Sequence, residues 1–385
     1  MILFSHMNGN QQQEHAKIPK KTIAKIHSFA LDLAEIISRS EVAPGKPLRW
    51  TIIANPSAGG FTIKRRWKQH KEALRNTLEK VQNKTQRIDA VPSLYSQERL
   101  GLIPTIAPGH ARTITKEILK EMAEDNGSFF LFITAGGDGT SLEVLQTLYS
   151  APPALLSRYA ILRLPMGTGN DGAEAFNMED ALELLVNPTH IVHKSGLKLS
   201  TVTKKTWPGG EPFMAFNILS LGLDAFVTHM TNKMKGIFPG DSYKLWVDIA
   251  ALFYDRIYKT DFMEVRAYKE NRKVMDFREK LLLCAMGESG NRYYGSHKPV
   301  LPDNRNVCAM KQMSIFRKII LKELMLSGAH INAPEAILFN ASRLEISGLL
   351  PVMAQMDGEA IRLETEDFPV TIELTDPVIP VLKQN

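Results

Sequence analysis

Between residues 23 and 37 the apolar side chains Ile23, Ile26, Phe29, Ala30, Leu33 and Ile37 keep the spacing of one helix face, which predicts an amphipathic helix that packs as an accessory. Pro44-Gly45-Lys46-Pro47 then breaks the pattern. Beyond the break, short apolar runs alternate with helical spacing. Strands are predicted over 49–54, 129–134 and 160–164, and helices over 63–80, 142–149 and 172–185. Strands separated by helices imply a mostly parallel sheet covered on both faces. After about residue 195 the texture becomes strand-rich, with apolar runs at 197–203, 213–220, 262–267, 281–286, 307–313, 343–347 and 370–374. Helical spacing interrupts them at 243–258 and 316–326, and a β-sandwich is the expected outcome. The expected division is an extension with a helix over 1–48, an α/β domain over 49–195 and a β-rich domain over 196–385, whose tail is free to return to the first domain.

Composition narrows the class. A chain of 385 residues is long enough for two cores, and 44% hydrophobic with 23% charged residues excludes a wholly disordered one. The only cysteines, Cys284 and Cys308, lie in apolar stretches, which argues against a disulfide scaffold or a Cys-rich zinc site. No run approaches the roughly 18 apolar residues of a membrane span, and the N-terminus lacks a signal-peptide core, so a cytoplasmic location is expected. The polar, Gln-rich residues 1–16 read as a disordered extension or an appended remnant. The net charge of +6, partly gathered in 17–25 and 64–71, suits anionic partners. Nucleic acid is not expected among them, because zinc-finger spacing and aromatic-basic RNA motifs are absent.

The candidate chemistry lies in three glycine-rich turns, each directly after a predicted strand. They are Asn55-Pro56-Ser57-Ala58-Gly59-Gly60, Gly136-Gly137-Asp138-Gly139-Thr140 and Pro165-Met166-Gly167-Thr168-Gly169-Asn170-Asp171. Ligands of open α/β sheets bind beyond the carboxyl ends of the strands, so the three turns should converge on one cleft. Glycine lets the backbone approach phosphate oxygens, whose charge the next helix N-terminus favours. Asn55, Thr140 and Thr168 can add side-chain hydrogen bonds. Gly167, Gly169 and Gly172 also spell G-x-G-x-x-G, but no Asp or Glu occurs from 184 to 210 to hold a ribose, which disfavours a Rossmann dinucleotide site. The Walker pattern is absent, and His110, His190, His193, His229, His297 and His330 are scattered packing or surface residues.

These turns resemble the three signatures of the diacylglycerol kinase catalytic domain superfamily, which includes bacterial diacylglycerol and phosphatidylglycerol kinases, sphingosine kinases and ceramide kinase. Glu143-Val144 continues the second signature, residues 217–224 resemble the family's Asn-x-x-Ser-x-Gly-x-Asp strand, and Asp357-Gly358-Glu359 its late acidic turn. The resemblance spans roughly 49–374. It implies an α/β nucleotide-binding domain followed by a β-sandwich-like lipid-binding domain, an active site between them, and transfer of the γ-phosphoryl group of ATP, with Mg2+, to a diacylglycerol-like or sphingoid hydroxyl. It further implies that Asn55, Pro56, Gly59, Gly60, Thr105, Gly136, Gly137, Gly139, Thr140, Gly167 and Thr168 bind the nucleotide. Asp138, Asp357 and Glu359 are the implied catalytic carboxylates, Asp138 and Glu359 the implied magnesium ligands, and Glu143, Asn170 and Asp171 the implied holders of loop geometry or lipid head group.

Two places depart from the family pattern. Its structural metal turn usually reads Asp-Gly, where this chain has Asp303-Asn304; Asn304 is expected to take the left-handed backbone, and Asp303 remains a candidate metal ligand. The preceding segment, 287–295, has fewer glycines than its counterparts. The basic-apolar stretch 233–238 and the helix from 243 suit attachment to an anionic membrane surface that presents the lipid. A homodimer is left open. Two other readings stand beside the lipid kinase: an NAD kinase-like enzyme, which shares Gly-Gly-Asp-Gly-Thr, and a noncatalytic nucleotide-binding protein that keeps the fold.

Overall fold

The computed structural model describes residues 18–40, 42–43, 45–85, 101–167, 169–187, 189–207, 210–235, 252–254, 258–295 and 298–384. The chain divides into two compact units, residues 1–194 with 378–385, and residues 195–377.

The first unit is built on β1 (Leu48–Ala54), β2 (Gly101–Pro104), β3 (Phe129–Gly136), β4 (Tyr159–Pro165) and β5 (Thr189–Lys194). The C-terminal strand Ile379–Gln384 enters the same sheet between β4 and β5, giving the order β2-β1-β3-β4-C-terminal strand-β5. Every pairing is parallel except the last, where Ile379 lies opposite Lys194. The helices are α1 (Lys20–Ile37), the single turn α2 (Gly59–Thr62), α3 (Lys64–Thr85), α4 (His110–Glu124), α5 (Asp138–Tyr149) and α6 (Met178–Val186).

β3 shows why this is a two-faced sheet, since all eight of its residues are buried. Phe129, Leu131, Ile133 and Ala135 join a core with Phe29 and Leu33 of α1, Leu74 of α3 and Leu182 of α6. The alternate residues reach the opposite layer, where Phe132 meets Tyr159 edge-on at 5.7 Å and the Tyr159 hydroxyl donates to the Leu148 carbonyl of α5 at 3.3 Å. Each such large apolar side chain contributes about 1.5–3 kcal/mol on burial. The helix α1 is part of this body. Phe29 packs against Phe61 at 5.5 Å, and the Lys25 ammonium donates to the Phe61 carbonyl at 2.6 Å, fixing the chain just after the first glycine turn.

The second unit is an antiparallel sheet that curls into a sandwich. Its strands are β6 (Leu197–Ser200), β7 (Phe213–Ala215), β8 (Ile218–Gly222), β9 (Phe262–Lys269), β10 (Arg272–Gly287), β11 (Arg292–Tyr294), β12 (Lys298–Leu301), β13 (Val307–Lys311), β14 (Ala336–Phe339), β15 (Arg343–Ser347), β16 (Val352–Met356), β17 (Glu359–Leu363) and β18 (Val370–Leu374). β11 and β12 form a separate ribbon. The 16-residue β10 belongs to both layers: its first half pairs with β9, and its second half with β8 and β13. Leu199, Val265, Leu344 and Ile372 from one layer therefore share a core with Leu219, Cys284, Val307 and Met356 from the other. Two helices, α7 (Leu223–Lys235) and α8 (Ile315–Ser327), cover the outer face through Phe226 and Leu321.

Several elements differ from the sequence expectation. The helix predicted from residue 172 begins only at Met178, because the Asn177 side chain accepts the Asp180 N–H at 2.8 Å as its cap, while Glu174 is diverted into a buried pair with Arg163. The predicted strand 213–220 breaks at Phe216 and Asn217, whose N–H groups turn to the Asp357 carboxylate. The helix predicted from 142 starts four residues earlier, with Asp138, Gly139 and Thr140 in its first turn. The helix expected over 243–258, residues 1–16 and residues 236–238 of the basic-apolar stretch lie wholly or almost wholly outside the described residues.

Candidate functional site

In the first unit the strand ends are in register along one edge. Ala54 lies opposite both Pro104 and Ala135, and Gly136 opposite Pro165. Because β2 and β3 flank β1 on opposite sides, the crossovers diverge here, and such a switch point opens a crevice beyond the strand ends. The three glycine-rich segments leave this edge. Asn55 donates its N–H to the Ala135 carbonyl at 2.9 Å, and Thr105 its N–H to the Ala54 carbonyl at 2.7 Å. The Asn55 amide reaches the Thr140 hydroxyl at 3.2 Å and accepts the Ser57 N–H at 2.9 Å, so it ties the first segment to the start of α5. Pro56 and Gly60 are buried beside it.

Space explains two of the glycines. A methyl group on Gly136 would stand 2.7 Å from the Thr140 side chain, and one on Gly60 would stand 2.7 Å from the terminal carbon of Met166. The Gly60 N–H donates to the Met166 carbonyl at 2.8 Å, which binds the first segment to the third. In the third segment the Asn170 side chain accepts the Gly167 N–H at 2.8 Å and donates to the Gly167 carbonyl at 3.1 Å, with Asn170 itself at φ 58°, a conformation Asn tolerates. Thr168 lies outside the described residues.

Asp138 opens α5, where the first-turn N–H groups have no intrahelical acceptor and the helix dipole favours negative charge. A methyl group on Gly169 would stand 2.8 Å from an Asp138 carboxylate oxygen and 3.1 Å from one of Asp171, so these oxygens are no more than about 6 Å apart. Among the described residues no three His, Cys, Asp or Glu side chains gather to hold a metal. A carboxylate pair nevertheless fits magnesium, which takes one or two carboxylates and fills its other positions from phosphate and water. Glu143 has a different place: its carboxylate accepts the Gly109 N–H at 2.7 Å and caps the start of α4.

Two residues of α3 were not singled out from the sequence. Arg66 donates to the Gly167 carbonyl at 3.0 Å, and the same guanidinium nitrogen would be 2.9 Å from a methyl on Gly59. It thus bridges the first and third glycine segments. His70 packs beside Gly60, with Nε2 buried and lacking a protein partner. Burial, reinforced by the Arg66 charge, pushes its pKa down to about 4.

The remaining predicted residues belong to the second unit. Asp357 and Gly358, at φ 47° and 99°, form the turn between β16 and β17, and the Asp357 carboxylate accepts the N–H groups of Phe216, Asn217 and Ile218. Glu359 is the exposed first residue of β17. Close by, the fully buried Gln355 donates to the Ser220 hydroxyl at 3.0 Å, which donates to the Asp224 carboxylate at 2.8 Å. Asp303 lies against the Arg305 guanidinium, which supplies the positive charge there and holds the carboxyl below its ordinary range. The left-handed backbone expected at Asn304 occurs instead at Asn291, φ 54°, whose side-chain amide donates to the Asn304 side-chain oxygen at 2.8 Å.

The family model described as the diacylglycerol kinase catalytic domain matches residues 49–199. No curated protein matches the chain by sequence. A solved Bacillus anthracis str. Sterne protein, named provisionally as a diacylglycerol kinase, is similar over 87% of this chain and 97% of its own, with a TM-score of 0.53 at 18% identity. A diacylglycerol kinase structure from the same organism covers the same shares with a TM-score of 0.50 at 14% identity. At these identities the likeness speaks for the fold. Among the described residues, no helix is long and apolar enough to cross a membrane. Residues 49–199 thus resemble the diacylglycerol kinase catalytic domain in sequence, and 87% of the chain shares its fold with the solved Bacillus anthracis protein.

Proposed function

We propose that the protein is an ATP-dependent lipid kinase, transferring the γ-phosphoryl group to the hydroxyl of a diacylglycerol-like or sphingoid lipid at an anionic membrane surface. One observation carries the reading: the glycine segments after β1, β3 and β4 meet at the sheet's switch point, with the carboxylates of Asp138 and Asp171 beside them. Glycine backbone at Gly137 and Gly167 gives phosphate oxygens close access to N–H groups, and the first turn of α5 adds its dipole. Arg66 offers a guanidinium fork to the same oxygens. Asp138 and Asp171 are the proposed magnesium ligands of the first unit; the ion would supply positive charge to neutralise the phosphate oxygens. The lipid hydroxyl must lose a proton, and Asp138 and Glu359 are the carboxylates proposed to accept it. Asp357, with its oxygens committed to three backbone N–H groups, holds the turn that presents Glu359.

The test is incubation of the protein with γ-labelled ATP, magnesium and vesicles containing diacylglycerol, sphingosine, ceramide or phosphatidylglycerol, with products separated by chromatography. Label is expected in one lipid. Asp138→Asn removes a charge but almost no volume, and should lower turnover at least about a hundredfold with unchanged melting. In a parallel incubation with NAD in place of the vesicles, label in NAD with none in lipid would replace the reading by an NAD kinase. No label in any acceptor would end it.

A further inference from the structure

We propose that the protein seats on anionic bilayers through one end of the second unit, where Phe262 and Leu349 emerge; the inference rests on the lipid-kinase reading above. Phe262, the first residue of β9, is 42% exposed, and Leu349, in the turn between β15 and β16, is 66% exposed. Both line one shallow cleft, together with Tyr254, Lys259, Leu350 and Pro351. Isolated exposed apolar residues are ordinary on soluble proteins. Here two share a cleft and stand within a ring of cations.

The ladder between β9 and β10 makes that ring. Lys280 is paired opposite Phe262, and side chains two residues apart share a face, so Arg278 and Lys280 come to the same ring. Their cationic groups lie 5.3 and 5.2 Å from its centroid. Lys259 adds a third exposed cation at the cleft. Of the acids nearby, Glu264 pairs with Arg266, and Glu279, on the other face, pairs with Lys311. Asp261, which accepts the Phe262 N–H at 2.7 Å, offsets one of the three cations and leaves the balance positive. Apolar tips surrounded by net positive charge suit insertion at the headgroup level of an anionic leaflet. The helix α8 offers the contrast. It exposes Phe316, Ile319, Ile320 and Leu326, but Lys322 is offset by Glu323, Arg317 is paired with Glu335 and Lys318 is buried, leaving no net exposed charge to select an anionic surface.

The experiment is sedimentation of the full chain, without ATP, with vesicles of phosphatidylcholine alone or mixed with phosphatidylserine. The wild type should bind only the mixed vesicles, less so as salt rises. Phe262→Ser with Leu349→Ser should lower the partition coefficient at least about tenfold. Arg278→Glu with Lys280→Glu should lower it by a similar factor and remove the salt dependence. Phe316→Ser with Ile319→Ser should change nothing. Leu349→Ser alone, at a turn, serves as the test wherever the double variant fails to fold. Unchanged binding by the Phe262 and Leu349 variants, or loss of binding in the α8 variant, overturns the proposal. So does an oligomer that dissociates in the Phe262 and Leu349 variant while vesicle binding persists, since the occupant is then a second copy. Turnover of short-chain forms of the same four lipids in detergent micelles separates the two readings. It should survive in the patch variants, and its absence for all four from the wild type would count against the kinase while leaving the vesicle result to decide the docking surface.

Discussion

A methyl group added to Gly167 would stand 2.7 Å from the Cα of Gly137, whereas one added to Gly137 would stand 3.8 Å from the Cα of Gly167. The two glycines are therefore not equivalent. Gly137 also has an extended backbone, φ −92° and ψ −174°, that alanine adopts readily. Gly137→Ala should leave stability within about 0.5 kcal/mol and weaken ATP binding at least about tenfold, because the methyl group occupies the phosphate approach. Gly167→Ala should cost about 1–3 kcal/mol through overpacking. Calorimetry of unfolding and of ATP binding measures both effects; equal stability losses in the two variants would contradict the asymmetry.

Arg66 ties Gly167 to the first glycine segment and offers its charge at the same place. Arg66→Ala should raise the KM for ATP by roughly tenfold to a hundredfold while kcat changes little, since the interaction is made equally in ground and transition states. Arg66→Lys should recover only part of the loss, because a point charge lacks the planar fork. Initial rates across an ATP series, at saturating lipid, distinguish these outcomes. A loss confined to kcat would point to a different role.

Asp357 and Glu359 are two residues apart and should fail in different ways. Asp357→Ala strands three backbone N–H groups and should destabilise the second unit by about 2–4 kcal/mol. Glu359 is exposed, so Glu359→Gln should leave melting unchanged and lower turnover at least about tenfold. Denaturant titration beside single-turnover measurements separates the two. A Glu359→Gln enzyme with full activity would remove this residue from the chemistry.

Acid should weaken the fold in two stages. His70 has a folded pKa near 4, below its ordinary value of 6.5, so the neutral ring is favoured by folding. Its contribution is complete above pH 6.5 and is lost as the pH falls through about 4. The second stage belongs to Glu174. Burial raises its pKa, but the charges of Arg163 and Lys194 and the hydrogen bonds from Arg163 outweigh burial, and the net direction is downward from 4.5. That contribution is present above pH 4.5 and is lost on further acidification. Melting temperatures measured from pH 8 to pH 3 should flatten in the upper stage for His70→Gln, and an unchanged profile in that variant would exclude the assignment.

The strands 129–136 and 159–165 are legible because burial on both faces leaves near-continuous apolar runs, and the glycine turns are legible because each follows such a run. Other features depend on contacts remote in sequence. Gly172 to Asn177 has helical composition, yet Glu174 is drawn to Arg163 and the helix waits for Asn177. The first half of β10 alternates exposed and partly buried residues over Val274 to Lys280, and only its pairing with β9 identifies it as strand. Arg66 is hidden among Lys64, Arg65 and Lys68, and only the folded helix distinguishes the cation that reaches Gly167 from those that face water. The site's glycines were thus visible locally, whereas the side chain that ties two of their segments together was not.

The strand Ile379–Gln384 takes its place between β4 and β5 only after residues 195–377 have been synthesised. At typical elongation rates of about 5–20 residues per second, roughly ten to forty seconds separate the emergence of β5 from that of the strand that completes its sheet. Through that interval β4 presents an unpaired apolar edge of the kind that recruits foreign strands. The α/β half of this protein is thus begun first and finished last on the ribosome. A nonsense mutation a few codons before Ile379 would leave a fully translated β-rich unit attached to an α/β sheet with a missing stave, a product for proteolysis rather than a shortened working protein.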